Sequence, residues 1–313
     1  MQGTLGIKGA VSVVSQDRGQ AIDQEASSRP GEWRRAAWGW FRLLHPFPSA
    51  LVTASSFLFA EMAAGGHAET GALARLVLSV ACSQGAIGAA NDVVDRELDA
   101  ATKPWKPVAR GVISRKAAAV LAGALSVGCL ALSASLPMPT VFAALLGLGC
   151  GLSYDLWLKR SRWSWLPYGV AIPTLPVWAW AAMEKLTGRL TPAYPLGLLL
   201  GLAIHLANTL PDLEGDHGFG IRGLTHELGR RRSLGLCWGA LAAAQGLTLI
   251  LAPVLEYRGW AYPTGLGTSV VLLLTAILGY RLRPTAATLQ FNFGVIALAS
   301  LALAAGWLAG AVA

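Results

Sequence analysis

The stretch QGAIGAANDVVDRELDAATKPWKPVARG, residues 84–111, begins as an apolar segment and ends in a dense group of charges. Three aspartates and a glutamate lie within nine residues, and two lysines and an arginine follow them. The first half suits the interior of a membrane, whereas the second half needs water, a metal ion or a charged ligand. The stretch therefore marks a place where a hydrophobic helix ends at a polar site.

Composition identifies the solvent of this chain as lipid. Of its 313 residues, 54% are hydrophobic and only 13% are charged, and the mean hydropathy is +0.50. Globular proteins usually carry about 25% charged residues, so this chain cannot cover itself with a polar surface. Because backbone groups in lipid must be hydrogen-bonded internally, we expect an all-α membrane protein.

The apolar segments predict nine transmembrane helices, because roughly 20 apolar residues span a bilayer. They lie near 44–64, 72–91, 116–135, 138–156, 164–182, 193–211, 233–253, 264–281 and 290–312. Residues 1–34 are polar and predict a disordered tail, which leaves 35–313 as one transmembrane domain.

The distribution of basic residues predicts the topology. If nine spans alternate from a cytoplasmic N-terminus, 21 of the 25 Lys and Arg residues face the cytoplasm. This bias fits the positive-inside rule and places the C-terminus outside. We expect a multi-pass protein of a bacterial cell membrane, in which the net charge of +8 sets topology and does not bind nucleic acid.

Seven of the 17 acidic residues fall in two short windows, NDVVDRELD at 91–99 and DLEGD at 212–216. Each window closes an apolar span, and the two spans run in the same direction. At 100° per residue, the first window places its Asn and three Asp on an arc of about 100°, with Glu97 pointing elsewhere. In the second helix a similar arc holds His205, Asn208, Asp212 and Asp216.

Such clusters point to a bound cation. Carboxylates at i, i+4 repel each other, and ionisable groups at membrane depth mark functional sites by default. Mg²⁺ binds carboxylate oxygens together with substrate phosphates and water, so two facing clusters predict a cradle for Mg²⁺ and a polyphosphate. A solvated helix end is the competing explanation, and two clusters on parallel helices make it the weaker one.

Basic residues near the clusters suit phosphate oxygens, which Arg and Lys neutralise. The candidates for binding a diphosphate are Lys103, Lys106, Arg110, Lys159, Arg160 and Arg222. Positive-inside topology would by itself place bases on this side, so each one also has a purely topological explanation.

The first window and its tail, NDVVDRELDAATKPWKPVARGVIS, resemble the first signature of the UbiA superfamily of intramembrane prenyltransferases, and DLEGDHGFGIRGLTHELG resembles the second. The resemblance covers about residues 35–313 and implies a helical barrel with a lipid-facing opening and cytoplasmic caps over the site. It also implies that an isoprenyl diphosphate binds through Mg²⁺. The implied metal ligands are Asn91, Asp92, Asp95, Asp99, Asp212 and Asp216.

The resemblance further assigns catalytic roles to Asp95, Asp212 and Lys159. Four features depart from the pattern. Lys106 stands where an Arg is usual, and Lys159 follows Tyr154 at one residue more than the family's spacing. Arg110 stands where a small residue is common, and His217 stands where a basic residue often follows the second Asp. These departures leave the metal cradle intact and concern the diphosphate contacts and the acceptor.

Polar residues deeper in the spans are candidates for contacting an acceptor, namely Gln84, Tyr154, His205 and Asn208. Helix–helix hydrogen bonding is the alternative explanation for such residues in a membrane.

The leading hypothesis is Mg²⁺-dependent transfer of an isoprenyl group to a small aromatic acceptor, with release of pyrophosphate. A membrane terpene cyclase, which needs no second substrate, is the alternative, and a cation transporter would show flux without pyrophosphate release. No protein partner is implied.

Overall fold

The computed structural model describes residues 33–213, 215 and 220–312, and the predicted tail over 1–34 lies almost wholly outside them. These residues form helices joined by short connections, without a β-strand. The α-helices are α1 Trp33–Leu43, α2 Pro46–Ala63, α3 Thr70–Val94, α4 Arg96–Thr102, α5 Arg115–Ala134, α6 Met138–Leu156, α7 Leu166–Ala182, α8 Ala193–Thr209, α9 Leu224–Leu255, α10 Ala261–Leu282 and α11 Ala286–Ala311. The all-α prediction is confirmed for the described residues.

Local signals set the helix ends. The Glu69 carboxylate accepts hydrogen bonds from the first backbone N–H groups of α3, and Ser114 Oγ accepts one from Ala117 N at 3.1 Å at the start of α5. Such caps satisfy N–H groups that have no partner within the helix. Pro46 opens α2, where its missing N–H costs nothing.

Each of the nine predicted spans coincides with a helix, but the number of membrane crossings stays a prediction. Within the described chain, seven helices are long and apolar enough to cross a bilayer, or eight if α1 and α2, bent by 53°, form one span. α7 has 17 residues, about 26 Å at the helical rise, which is short for a bilayer core. The orientation of the termini likewise stays a prediction.

The helices pack as a bundle with an apolar outer face. Ile250, Val254 and Leu282 are all more than 70% exposed, which suits contact with lipid. α7 and α8 approach so closely that a Cβ on Gly201 would lie 2.5 Å from the backbone oxygen of Tyr168. This contact fixes the inner polar residues of α7 and α8 against each other.

The two acidic windows lie at the same end of the bundle. The first does not form one straight helix, because α3 ends at Val94 and α4 begins at Arg96, with Asp95 at φ −91° and ψ 9° between them. Aspartate disfavours helix interiors because its carboxylate competes for nearby backbone groups. Glu97 is nevertheless exposed as the helical spacing predicts.

Candidate active site

A cavity of about 570 Å³ runs through the middle of the bundle, between α2, α3, α6, α7, α8 and α11. One end of the cavity, the deep end, is apolar and is lined by Phe59, Trp178 and Leu196 among others. Its other end lies where α3 and α8 finish, and both Asp95 and Asp212 line it there. The two acidic windows therefore open into one shared space, with a long apolar chamber behind them.

Asp95 is held in a buried ion pair. Lys159 Nζ lies 2.6 Å from Asp95 Oδ1, and the side chains are only 5% and 10% exposed. Asn91 Nδ2 donates to the other oxygen of Asp95 at 3.0 Å. Lys159 reaches this position from the 3₁₀ turn Leu158–Arg160 that follows α6. The shift of one residue from the family's spacing thus leaves Lys159 at the polar end of the cavity.

Lys106 lies between two other carboxylates of the first window. Its Nζ is 2.8 Å from Asp92 Oδ1 and 2.8 Å from Asp99 Oδ2. Burial by itself would lower the pKa of Lys106, but the two negative charges outweigh it and raise that pKa. Burial raises the pKa of Asp99, against the opposing effect of Lys106, and the charges of Asp92 and Asp95 raise it further.

A third lysine joins the two windows. Lys103 Nζ, at the end of α4, lies 2.7 Å from Asp212 Oδ2. Both side chains are about one-third exposed, so water screens this pair more than the buried ones. Lys103 thus shows that the ends of α4 and α8 meet at the mouth of the cavity.

Three predicted phosphate ligands lie elsewhere. Arg110, Arg160 and Arg222 are exposed and are not among the residues that line the cavity. Asp216 falls outside the described residues, so its predicted role as a metal ligand stays a prediction.

The sequence matches the UbiA prenyltransferase family over residues 50–301. The chain belongs to the UbiA prenyltransferase family.

Two kinds of relative resemble this UbiA-family chain in sequence. It is 32% identical to the chloroplastic chlorophyll synthase of Arabidopsis thaliana over 186 residues, which are 54% of this chain and 47% of that protein. It is 27% identical to the digeranylgeranylglyceryl phosphate synthase of Natronomonas pharaonis over 248 residues, or 77% of this chain and 84% of that protein. The chain thus spans about half the length of the plant chlorophyll synthases that it matches.

Solved UbiA structures share the fold of this family member. A UbiA homologue from Archaeoglobus fulgidus bound to GPP and Mg²⁺ superposes with a TM-score of 0.64 at 17% identity, over 87% of this chain and 99% of that one. The apo UbiA homologue from Aeropyrum pernix K1 gives 0.67 at 16% identity, over 82% and 96%. At these identities the likeness establishes the fold alone.

The donor set of this UbiA-family site fits a hard divalent cation. Among the described residues, no three acidic, histidine or cysteine side chains are arranged to ligate one ion together. Mg²⁺ does not need three, since it usually takes one or two carboxylates with substrate phosphate and water. Asp92 Oδ2 and Asp155 Oδ2 are buried without a hydrogen-bond partner, which leaves oxygen donors at the polar end. Asp95 and Asp212 also line the cavity at this end, and their role as metal ligands stays a prediction.

A polar and aromatic cluster lies one level deeper. His205 is 1% exposed, and its Nε2 is 3.0 Å from Ser164 Oγ, while its Nδ1 has no hydrogen-bond partner. The rings of Tyr154 and Tyr168 approach the His205 ring with centroids 6.0 and 5.2 Å away. Asn208 Nδ2 donates to Tyr168 Oη at 3.1 Å. The predicted acceptor residues on α6 and α8 are thus gathered in one place, and Gln84 lines the same cavity from α3.

Two residues at the polar end were missed by reasoning from sequence. Asp155 is 2% exposed, lines the cavity and accepts a hydrogen bond from Asn91 at 2.9 Å. His45 Nε2 is 2.9 Å from Asp92 Oδ1. Asp155 follows Tyr154 directly in the segment YDLWLKRSR, so its position beside a predicted site residue was the available signal. His45 carries no such signal, because it reaches the site only through packing of α2 on α3.

Proposed function

We propose that this protein catalyses Mg²⁺-dependent transfer of an isoprenyl group from an isoprenyl diphosphate to a small aromatic acceptor within the membrane, releasing pyrophosphate. The observation that carries the proposal is the shape of the cavity. One end brings the carboxylates of two helix ends together with three lysines, and the rest is an apolar chamber. A diphosphate head on a hydrocarbon tail has the same division of polarity.

In the proposed reaction the bond between C1 of the isoprenyl chain and the diphosphate oxygen breaks, and its electron pair leaves with pyrophosphate. Bound Mg²⁺ supplies positive charge that stabilises this leaving group. Lys103, Lys106 and Lys159 supply further positive charge at the same end, in a site that excludes most water. The acceptor then forms a bond to C1 and loses one proton.

The aromatic cluster suits the part of this reaction that takes place at C1 of the isoprenyl chain. Tyr154 and Tyr168 line the cavity one level below the carboxylates, and aromatic rings can attract the positive charge that develops on C1. His205 and Asn208 offer hydrogen-bonding groups at the same depth, which suits a polar second substrate. This grouping favours transfer to an acceptor over cyclisation without one.

The function is tested by incubating the purified protein with labelled isoprenyl diphosphates, Mg²⁺ and a panel of acceptors, with product identification by mass. Asp95→Ala should abolish pyrophosphate release, whereas Glu97→Ala, which removes an exposed carboxylate two residues away, should leave it nearly unchanged. Full turnover by Asp95→Ala would contradict the proposed site. A hydrocarbon or alcohol formed without acceptor would identify a terpene cyclase, and cation flux without pyrophosphate release would identify a transporter.

We also propose that the polar end faces the cytoplasm of a bacterial cell. The support is the distribution of Lys and Arg, of which 21 of 25 fall on that side if nine spans alternate. Labelling of single cysteines placed in the loop at Trp105 and in the α7–α8 connection at Lys185, with a membrane-impermeant reagent on intact cells, tests this orientation. Selective labelling at position 105 would reverse the proposed topology.

A further inference from the structure

We propose that the apolar chamber limits the prenyl donor to about four isoprene units, so that a C20 diphosphate is the preferred donor. The inference rests on the proposed function, since it concerns the tail of the same substrate. It follows from the depth of the chamber below the carboxylates and from the bulky side chains at its end.

The depth can be read along α3. Cavity-lining residues run from Asp95, directly after the end of α3, back along that helix to Val80. The last turn, from Asn91 to Asp95, carries the polar groups that face a diphosphate. The eleven residues from Asn91 back to Val80 then give the tail about 16 Å at the helical rise of 1.5 Å per residue.

A second measure, along α11, gives a greater depth. His45 contacts Asp92, and the ring of Phe47, two residues later, contacts the ring of Phe293 at 6.4 Å between centroids. Phe293 therefore lies near the level of Asp92. Cavity-lining residues continue along α11 to Leu308, fifteen residues and about 22 Å deeper.

The chain length follows from bond geometry. An extended polypeptide advances at most about 3.3–3.6 Å per three backbone bonds. An isoprene unit advances by four bonds, and therefore by about 4.5 Å on the same geometry. A depth between about 16 and 22 Å thus corresponds to about 3.6–4.9 units of extended tail, and so to about four complete units.

Large, buried side chains line the deep end. Trp178, Trp307 and Phe59 are each less than 5% exposed and all line the cavity. Trp178 lies against Gly147 of α6, where an added Cβ would be 3.5 Å from its ring. A longer donor would have to displace these rings or leave the chamber sideways.

The test compares donors from C10 to C45 at equal concentration, measuring kcat/KM for Mg²⁺-dependent pyrophosphate release. We expect kcat/KM to rise up to C20 and to fall at least about 10-fold at C30 and beyond, since pockets reject groups that they cannot hold by factors of this size. Equal or better use of C30 and C45 donors would overturn the length limit. Absence of turnover with every donor would instead contradict the proposed function.

Two variants locate the limit, and a third serves as control. Trp178→Ala should improve the use of C30 relative to C20. Ala304→Phe fills a position one turn above Leu308 and should move the preference to C15. Trp180→Ala removes a tryptophan that is equally buried but does not line the cavity, so it should leave the preference unchanged. A shift in Trp180→Ala equal to that in Trp178→Ala, or C20 preference in Ala304→Phe, would refute the assignment of the chamber's end.

Discussion

Replacement of Lys159 by Met tests whether the buried charges of the site depend on one another. In the absence of divalent metal, Lys159 is the cation nearest Asp95, at 2.6 Å and with almost no water access. Removing one partner of a buried ion pair typically costs about 3–5 kcal/mol, because the other charge stays buried without compensation. At about 2–4 °C per kcal/mol, Lys159→Met should lower the unfolding temperature by on the order of 10 °C.

Thermal unfolding in detergent with EDTA measures this loss, and Lys185→Met, which removes an exposed lysine, is the matched control. Adding Asp95→Asn to Lys159→Met should recover part of the stability, since the carboxylate of Asp95 is then neutralised while that of Asp155, 4.0 Å from Lys159, still lacks its cation. Mg²⁺ should stabilise Lys159→Met more than wild type, because the freed carboxylate can bind it. An unfolding temperature of Lys159→Met equal to that of wild type in EDTA would refute this account of the site.

Three further outcomes are expected. Asp212→Asn should change the free energy of unfolding by less than about 1 kcal/mol, since the pair of Asp212 with Lys103 is partly exposed. The same variant should lower the rate of pyrophosphate release at least about 100-fold. Gly201→Ala should lower the free energy of unfolding by about 1–3 kcal/mol, because the added Cβ meets the backbone of Tyr168. Gly235 has open space around it, so Gly235→Ala should leave the free energy of unfolding unchanged or raise it. EDTA should abolish binding of a fluorescent prenyl diphosphate as well as turnover, and binding that survives chelation would contradict a metal-borne diphosphate.

The features that local sequence determines were predictable. Apolar length alone located nine of the eleven α-helices in the described residues, because a helix in lipid needs only a continuous apolar run. The exposure of Glu97 beside buried Asp95 and Asp99 followed from helical spacing. Likewise, two acidic windows on parallel helices had to end at the same side of the bundle.

The features that depend on packing were not predictable. The break between α3 and α4 lies at Asp95, and no proline or glycine marks it in the sequence. Asp155 and Lys159 reach the first window across 64 residues of chain. Basic residues near a predicted cytoplasmic end look alike in sequence. The sequence therefore did not distinguish Lys103, which lines the cavity, from Arg110, which does not.

The charges of the polar end themselves explain why a cation should accompany the substrate. The carboxylates there are those of Asp92, Asp95, Asp99, Asp155 and Asp212, and within the described chain they face the ammonium groups of Lys103, Lys106 and Lys159. With these groups ionised, negative charges outnumber positive ones, and a diphosphate entering alone would meet net repulsion at low dielectric. A divalent cation held by these carboxylates would reverse the sign of that interaction. On the proposed function, we therefore expect the acidic windows to bind the diphosphate only together with metal, while the lysines neutralise part of the carboxylate charge.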